Sequence, residues 1–189
     1  MIRPLFSIAL AAVAPGGLAA DAVPVPLPRF TAVELVGGGE VMLRSGPVQR
    51  VTLAGKDPAR TRMAVNDRGR LEIRACDGKC DGLSPRIEIV TPEALSGIAV
   101  RDGGRIEGQG RWPAQASLAV AVSRGGTIDV DAIAADTVAA AVNAGGTISV
   151  TPRRTLMAAV SQGGTIGYRG DPAVTRSIAN GGAVRRIGD

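Results

Sequence analysis

The sequence predicts an all-β protein, a β-solenoid similar to a parallel β-helix, in which short strands meet at Gly-Gly corners. Three observations predict it. One phrase recurs four times between residues 117 and 184, its apolar residues are spaced by two, and a glycine pair follows each apolar run. The first glycines of these pairs, Gly125, Gly145, Gly163 and Gly181, lie 20, 18 and 18 residues apart. A constant period near 20 residues is typical of stacked repeats.

Alignment on the glycine pairs places like residues in columns. Before the pair these are Leu118, Val138, Leu156 and Val174; Val120, Ala140, Ala158 and Arg176; and Val122, Val142, Val160 and Ile178. After the pair the column is Ile128, Ile148, Ile166 and Val184. A spacing of two indicates a strand with one buried face, whereas a helix needs spacings of three and four. The alanine-rich residues 138–142 would favour a helix on propensity alone, but the repeated spacing favours a strand.

The glycine pairs are predicted to form the corners, because glycine adopts positive φ without a Cβ clash. The pairs are Gly38 and Gly39, Gly103 and Gly104, Gly125 and Gly126, Gly145 and Gly146, Gly163 and Gly164, and Gly181 and Gly182. Only the last five follow one another closely enough to be regular repeats. Ser123, Asn143 and Ser161, two residues before a pair, are expected to hydrogen-bond local backbone. A β-hairpin at each pair is the structural alternative. A phosphate cradle is disfavoured because no helix follows.

Residues 1–22 are predicted to be a secretory signal peptide. Arg3 supplies the positive start, residues 5–14 form a short apolar run, and small residues allow cleavage after Ala20 or Ala22. The run is shorter than the roughly 20 residues that a membrane span requires, and no later segment is long and apolar enough for one. We therefore expect an exported protein of the periplasm, the cell surface or the medium, in an envelope of Gram-negative type.

Residues 23–189 are predicted to form a single β-solenoid domain, with the strongest repeats in residues 95–187. After an extended lead-in, strands are expected from Phe30, with a first corner at Gly38 and Gly39. Further short strands are expected at residues 51–53, 71–73 and 86–90. Residues 56–62 and 107–115 are interpreted as loops.

Cys76 and Cys80 are predicted to form a disulfide. They are the only cysteines in the sequence, and a close, even pair in an exported protein is typical of a bridge that closes a loop. A redox motif would have two residues between the cysteines rather than three. A metal site would need more ligands, and the sequence contains no histidine. No cofactor or metal is expected.

The basic residues suggest one class of ligand. The formal net charge is +5, and all basic residues except Lys56 and Lys79 are arginines. Guanidinium groups pair with phosphates and carboxylates, so Arg124, Arg153 and Arg169 are candidate anion-binding residues for an anionic envelope polymer. The favoured explanation is nevertheless that a GC-rich genome prefers arginine to lysine and that a solvent-exposed face needs charge for solubility. Nucleic acid is not expected as a partner, because export separates the protein from it and stacking aromatic residues are scarce.

No catalytic group is evident. A polysaccharide-cleaving β-helix needs carboxylates that converge from neighbouring repeats, but the position after the glycine corner reads Asp129, Ser149, Gly167 and Arg185. Asp129, Asp131 and Asp136 are close in sequence, which a solvated polar surface also explains. Without histidine, no serine has the usual activating base. We expect a protein that is not an enzyme.

The repeated phrase Val-Ser-x-Gly-Gly-Thr-Ile resembles the putative auto-transporter adhesin, head GIN domain family. Residues 30–43, 86–95 and 98–100 are similar to the start and middle of that family, so the resemblance spans roughly residues 30–184. It implies an exported or envelope protein with a β-solenoid-like fold and no established enzyme chemistry. The cysteine loop and the glycine-rich segment around Trp112 depart from the family pattern.

Two functions therefore follow from the sequence. The first is a non-catalytic, adhesin-like binding or scaffolding module that contacts an anionic envelope polymer or another envelope protein. The alternative is a carbohydrate-active lyase or hydrolase built on a β-helix. The arrangement of carboxylates distinguishes them, because the enzyme requires acids that converge in a groove.

Overall fold

In a computed structural model, which describes residues 22–55, 58–75 and 84–188, the described strands form one 15-stranded sheet. The strands are β1 (Val23–Pro24), β2 (Ala32–Val36), β3 (Glu40–Ser45), β4 (Arg50–Ala54), β5 (Arg62–Val65), β6 (Arg70–Arg74), β7 (Arg86–Thr91), β8 (Gly97–Arg101), β9 (Arg105–Gln109), β10 (Gln115–Ser123), β11 (Thr127–Asn143), β12 (Thr147–Ser161), β13 (Thr165–Tyr168), β14 (Ala173–Ala179) and β15 (Ala183–Arg186). One 3₁₀ turn lies at Pro58–Arg60.

The sheet is built from stacked rungs, each with a first arm and a second arm on either side of a corner. The first arms lie in the order β6, β2, β8, β10, β11, β12 and β14, and every neighbouring pair is parallel. The second arms lie in the order β7, β3, β9, β11, β12, β13 and β15, also parallel. β11 and β12 are long because each is the second arm of one rung and continues as the first arm of the next.

The sequence columns correspond to the pairing register. Leu118 lies beside Val138, Val138 beside Leu156, and Leu156 beside Val174. The described part of the chain contains no α-helix, and residues 138–142 lie within β11, so the prediction of an all-β fold is confirmed. The sheet is open and curled, with β1 at one end of its main path and β5 at the other.

The glycine corners join the two arms of one rung, and those arms do not pair with each other as a hairpin would require. Three successive residues have positive φ at the corner of Arg124 (58°), Gly125 (84°) and Gly126 (108°), and the later corners repeat this pattern. The hydrogen bonds at the described corners are not the local side-chain bonds expected of Ser123, Asn143 and Ser161. They join the backbones of successive rungs instead: Arg124 N–H donates to the Asn143 carbonyl, and Asp102 N–H to that of Ser123.

The second glycine of each corner is packed against the previous rung. A Cβ on Gly126 would lie 2.5 Å from Val100 Cγ1 and 3.0 Å from the Gly104 carbonyl oxygen, whereas a Cβ on Gly125 would have nothing within 4 Å. Each corner therefore requires its first glycine for conformation and its second for both conformation and space.

The core consists of aliphatic residues from the inward positions of both arms. All three columns of the first arms are buried along most of the stack, including the column of Val120 (1% exposed), Ala140 (3%) and Ala158 (5%). Ile106, Ile128, Ile148 and Ile166 of the second arms are fully buried. Phe30 is the one buried phenylalanine in the described residues, so stacked aliphatic side chains supply nearly all of the apolar burial.

The order of the rungs differs from the order of the chain. The rung formed by β2 and β3 lies between two other rungs. The rung of β6 and β7 is on one side of it, and the rung of β8 and β9 is on the other. Beyond β6 and β7, the sheet ends in antiparallel strands, because β5 pairs with β6, β4 with β7, and β1 with β4. β1 and β5 were not expected: Pro24 belonged to the extended lead-in of residues 24–28, and Arg62 to a loop.

Two expectations concern residues outside the described part of the chain. The predicted signal peptide falls almost entirely in residues 1–21, and Cys76 and Cys80 fall in residues 76–83, so both stay predictions. No helix within the described ranges has the length and hydropathy needed to cross a membrane.

Candidate binding surface

The outward positions of the first arms form a small-residue apolar surface, which we call the alanine face. Its members share an outward orientation in neighbouring strands β8, β10, β11 and β12. They are Ala99, Ala119, Ala121, Ala139, Ala141, Met157 and Ala159. The pairing register places Ala99, Ala121, Ala141 and Ala159 in one column and Ala119, Ala139 and Met157 in the next.

The alanine face follows directly from the strand pattern. Residues alternate between the two sides of a strand, so the alanines point outward between the buried valines of the core. They line a shallow groove with a volume of about 670 Å³. Met157 is 49% exposed and is the largest apolar side chain of this face. Ser123, Asn143 and Ser161 form its rim on the side of the glycine corners.

A buried carboxylate closes one end of the groove. The side chain of Glu34 is only 8% exposed, and Arg70 Nη1 donates to its Oε2 at 3.1 Å while Arg101 Nη2 donates to its Oε1 at 2.6 Å. All three residues line the groove. Because one carboxylate faces two guanidinium groups, this end carries a net positive charge.

The three arginines proposed from the sequence do not lie on the alanine face, and each contacts an aspartate of another rung. Arg124, at a glycine corner, is bidentate to Asp102, with Nη2 2.8 Å from Oδ2. Arg169 Nε lies 2.7 Å from Asp131 Oδ2. Arg153 Nε lies 3.8 Å from Asp136 Oδ1. These three arginines therefore lie at separate places in the structure, and each is paired with a carboxylate.

The pKa values of two of these aspartates are shifted in opposite directions. The hydrogen bond from Arg124 lowers the pKa of the exposed Asp102. Burial raises the pKa of Asp131, and the hydrogen bond from Arg169 opposes that rise. Asp131 Oδ1 is buried and has no hydrogen-bond partner in the described structure. Its partly desolvated position accounts for the raised value.

The acids close in sequence have structural partners. Asp131 N–H donates to Asp129 Oδ1 at 3.4 Å, and Asp136 lies near both Arg153 and Arg154. Within the described residues, no group of three or more His, Cys, Asp or Glu side chains could hold a metal ion. Asp131 and Asp136 thus take part in ion pairs between rungs, and Asp129 accepts a backbone hydrogen bond.

Sequence reasoning missed the alanine face, although its signal is present. It treated the alanines of residues 138–142 as a question of helix against strand. Read as a strand, Ala121, Ala141 and Ala159 fall two residues apart from Ala119, Ala139 and Met157 and recur with the glycine period. An outward column that is repeatedly alanine, where charged or hydroxyl residues are usual, marks an unusual surface.

The fold and this surface define a β-repeat protein with an exposed apolar side. Residues 115–172, which include most of the alanine face, match the family described as putative auto-transporter adhesin, head GIN domain. The resemblance expected from the sequence is confirmed over these residues. No curated protein matches the chain.

Several solved structures are similar to the chain along most of its length. A putative adhesin from Bacteroides fragilis is 19% identical, with a TM-score of 0.49, and the match covers 88% of this chain and 96% of that one. A putative adhesin from Parabacteroides merdae is 11% identical, with coverage of 89% and 96% and a TM-score of 0.40. A putative lipid binding protein from Parabacteroides distasonis is 13% identical, with the same coverages and a TM-score of 0.36.

Proposed function

We propose that this protein is a non-catalytic binding or scaffolding module of the cell envelope, and that the alanine face is its contact surface. The observation that carries the proposal is the seven-residue apolar face on adjacent parallel strands, which the structure leaves open to solvent. The description of the matched family as an adhesin head supports a binding role. The repeated rungs, which we assign to the β-solenoid class as one domain over residues 23–189, provide a rigid support.

The composition of the alanine face suits a contact with a protein. Contiguous exposed apolar surfaces commonly mark sites of interaction. Alanine loses no side-chain rotamer freedom when it is covered, so binding over this face has a small entropic cost. The small side chains also allow a partner's backbone to approach closely. Met157 adds a flexible apolar side chain that adapts to a partner's shape.

An anionic polymer is the less favoured partner. It would compete at Arg124, Arg153 and Arg169 with an aspartate that each arginine already contacts. Exposed ion pairs are individually weak, so such competition is feasible, but the three arginines do not form one continuous surface. The proposed partner is therefore another envelope protein, at the cell surface or in the periplasm after export.

A binding experiment with intact Gram-negative cells tests this proposal. Labelled mature protein is titrated onto cells before and after protease treatment, and also onto a glycan array and anionic lipid vesicles. We expect binding to untreated cells and its loss after protease treatment. Binding to the glycans or vesicles that falls with added salt and with Arg124→Glu, Arg153→Glu or Arg169→Glu would support the anionic-polymer alternative instead.

A matched pair of variants tests whether the contact lies on the alanine face. Ala141→Glu introduces a charge at the centre of the face and should weaken binding at least about tenfold, because an unpaired charge in an apolar contact is costly. Thr147→Glu adds the same charge at an exposed position of a second arm and should leave binding unchanged. Equal effects of the two variants would exclude this face. Release of reducing ends from envelope polysaccharide by the purified protein would exclude the non-catalytic function.

A further inference from the structure

The last rung, formed by β14 and β15, has neighbours on one side only. β14 pairs with β12 and β15 with β13, and the described residues place no strand on the outer side of either. The outward N–H and C=O groups of these strands therefore have no sheet partner there. An edge of this kind is a template for another strand.

Arginines replace apolar residues in the inward columns of this rung. Arg176 aligns with the buried Ala158 and Arg186 with Tyr168, so each continues a column that is apolar in the preceding rungs. Both are exposed, as is the neighbouring Arg185. None of the three has an ion pair or hydrogen bond with the described residues, in contrast with Arg124 and Arg169. The edge thus carries uncompensated positive charge.

Apolar residues flank Arg176 in the same strand. Ile178 is 45% exposed, although Val160, its neighbour in the register, is 2% exposed. Val174 is only partly buried, whereas its neighbour Leu156 is fully buried. Both side chains lack the cover that a further strand would give them.

We propose that this edge binds an extended acidic segment of a partner protein by strand addition. An added parallel strand in register would place apolar side chains over Val174 and Ile178 and a carboxylate over Arg176. The recognised pattern is therefore apolar-x-acid-x-apolar. Backbone hydrogen bonds supply the affinity, and the alternating side chains supply the specificity. This contact is separate from the alanine face and does not depend on it.

The charges disfavour a second copy of the chain as the occupant. β14 runs from Ala173 to Ala179 with Arg176 at its centre, so a two-fold antiparallel pairing centred there would bring two arginines together. A head-to-tail arrangement would set Arg176 against β5, whose sequence, Arg-Met-Ala-Val, contains no acid. An acidic partner strand avoids both problems.

Fluorescence anisotropy with synthetic peptides tests the proposal on the full chain. The probe is a labelled seven-residue peptide with Val at position two, Glu at position four, Ile at position six and Thr elsewhere. We expect saturable binding that weakens at least about tenfold when Lys replaces Glu, because like charges then face each other. In Arg176→Glu the preference should reverse in favour of the Lys peptide. Arg111→Glu, which changes an exposed arginine outside the last rung, should leave binding unchanged.

Three further measurements separate strand addition from other kinds of binding. A Glu peptide with alternate backbone amides methylated on its pairing edge should not bind, because methylation removes the N–H donors. Absence of saturable binding of the Glu peptide would overturn the proposal. The proposal would also be overturned if the methylated peptide bound with unchanged affinity and polyphosphate competed as well as the Glu peptide does. That result would indicate a nonspecific polyanion surface. Concentration-dependent dimerisation of the full chain that the Glu peptide disrupts would instead make a second copy the occupant.

Discussion

The two ends of the stack differ in how completely they cover the same column of side chains. Ile73 and Ile178 belong to one inward column, which runs through Leu35, Val100, Val122, Val142 and Val160. Ile73 is fully buried because the antiparallel strand β5 continues the sheet beyond it. Ile178 is 45% exposed because no described strand pairs with the outer edge of β14. A stacked sheet therefore needs an additional element at each end to complete its core.

The largest expected difference is in the free energy of unfolding at these two isoleucines. Ile73→Ala leaves a cavity in a closed core and should cost about 2–5 kcal/mol. Ile178→Ala removes a half-exposed side chain and should cost less than about 1 kcal/mol. Urea denaturation of both variants, followed by circular dichroism, measures the difference. Equal losses would mean that the last rung is covered in solution.

A second comparison concerns the corners, where equivalent glycines lie in a middle rung and in the last one. In the middle rung, a Cβ on Gly146 would contact Val122 and lie 2.9 Å from the Gly126 carbonyl oxygen. In the last rung, a Cβ on Gly182 would contact Val160 and lie 3.0 Å from the Gly164 carbonyl oxygen. Gly146→Ala should cost about 2–4 kcal/mol, from positive φ and overpacking together. Gly182→Ala should cost about 1–2 kcal/mol, because a rung with one neighbour can shift outward.

Thermal or urea unfolding gives both values, and Gly145→Ala is the control for backbone conformation. A Cβ at Gly145 meets nothing within 4 Å, so this variant should lose only the conformational part, about 1–2 kcal/mol. If Gly145→Ala and Gly146→Ala lose the same free energy of unfolding, contact between rungs does not restrict which residue the second corner position accepts. If Gly182→Ala costs as much as Gly146→Ala, the last rung is held as firmly as the middle ones.

The middle rungs were predictable from the sequence because each copy of the repeat neighbours the next. Leu118, Val138 and Leu156 recur at a nearly constant spacing, and a constant spacing in sequence becomes a column in register. The alternation of side chains then determines which residues enter the core. The bounds of β10 and β11 on each side of Gly125 and Gly126 follow from the same pattern.

The first rungs were less predictable because their neighbours are not adjacent in the chain. β2 lies between β6 and β8, so Val33 pairs with both Leu71 and Ile98. Alternating apolar residues identify these strands but do not specify which strand lies beside which. β5 lacked a clear alternation, and its pairing with β6 depends on the finished sheet.

The candidate surfaces were the least predictable part. The sequence shows that Arg124 and Arg176 are arginines in repeated positions, but it does not show that Arg124 contacts Asp102 while Arg176 has no described partner. Ion pairing depends on the lateral neighbours of each rung. The alanine face likewise becomes a surface only when four first arms lie side by side.

The smallest expected effect on stability, and the most specific test of the open end, is Arg176→Val. Valine continues the apolar column of Val120, Ala140 and Ala158, so the free energy of unfolding should change by less than about 1 kcal/mol at this exposed edge. A charge that interrupts an apolar edge strand discourages pairing with other edges, and its removal should promote association between copies. Sedimentation velocity over a range of concentrations measures that association for Arg176→Val, for the unchanged protein and for Arg111→Val. We expect greater self-association only for Arg176→Val. If its sedimentation matches that of Arg111→Val at every concentration, the arginine does not protect this edge, and the difference between the two ends lies in packing alone.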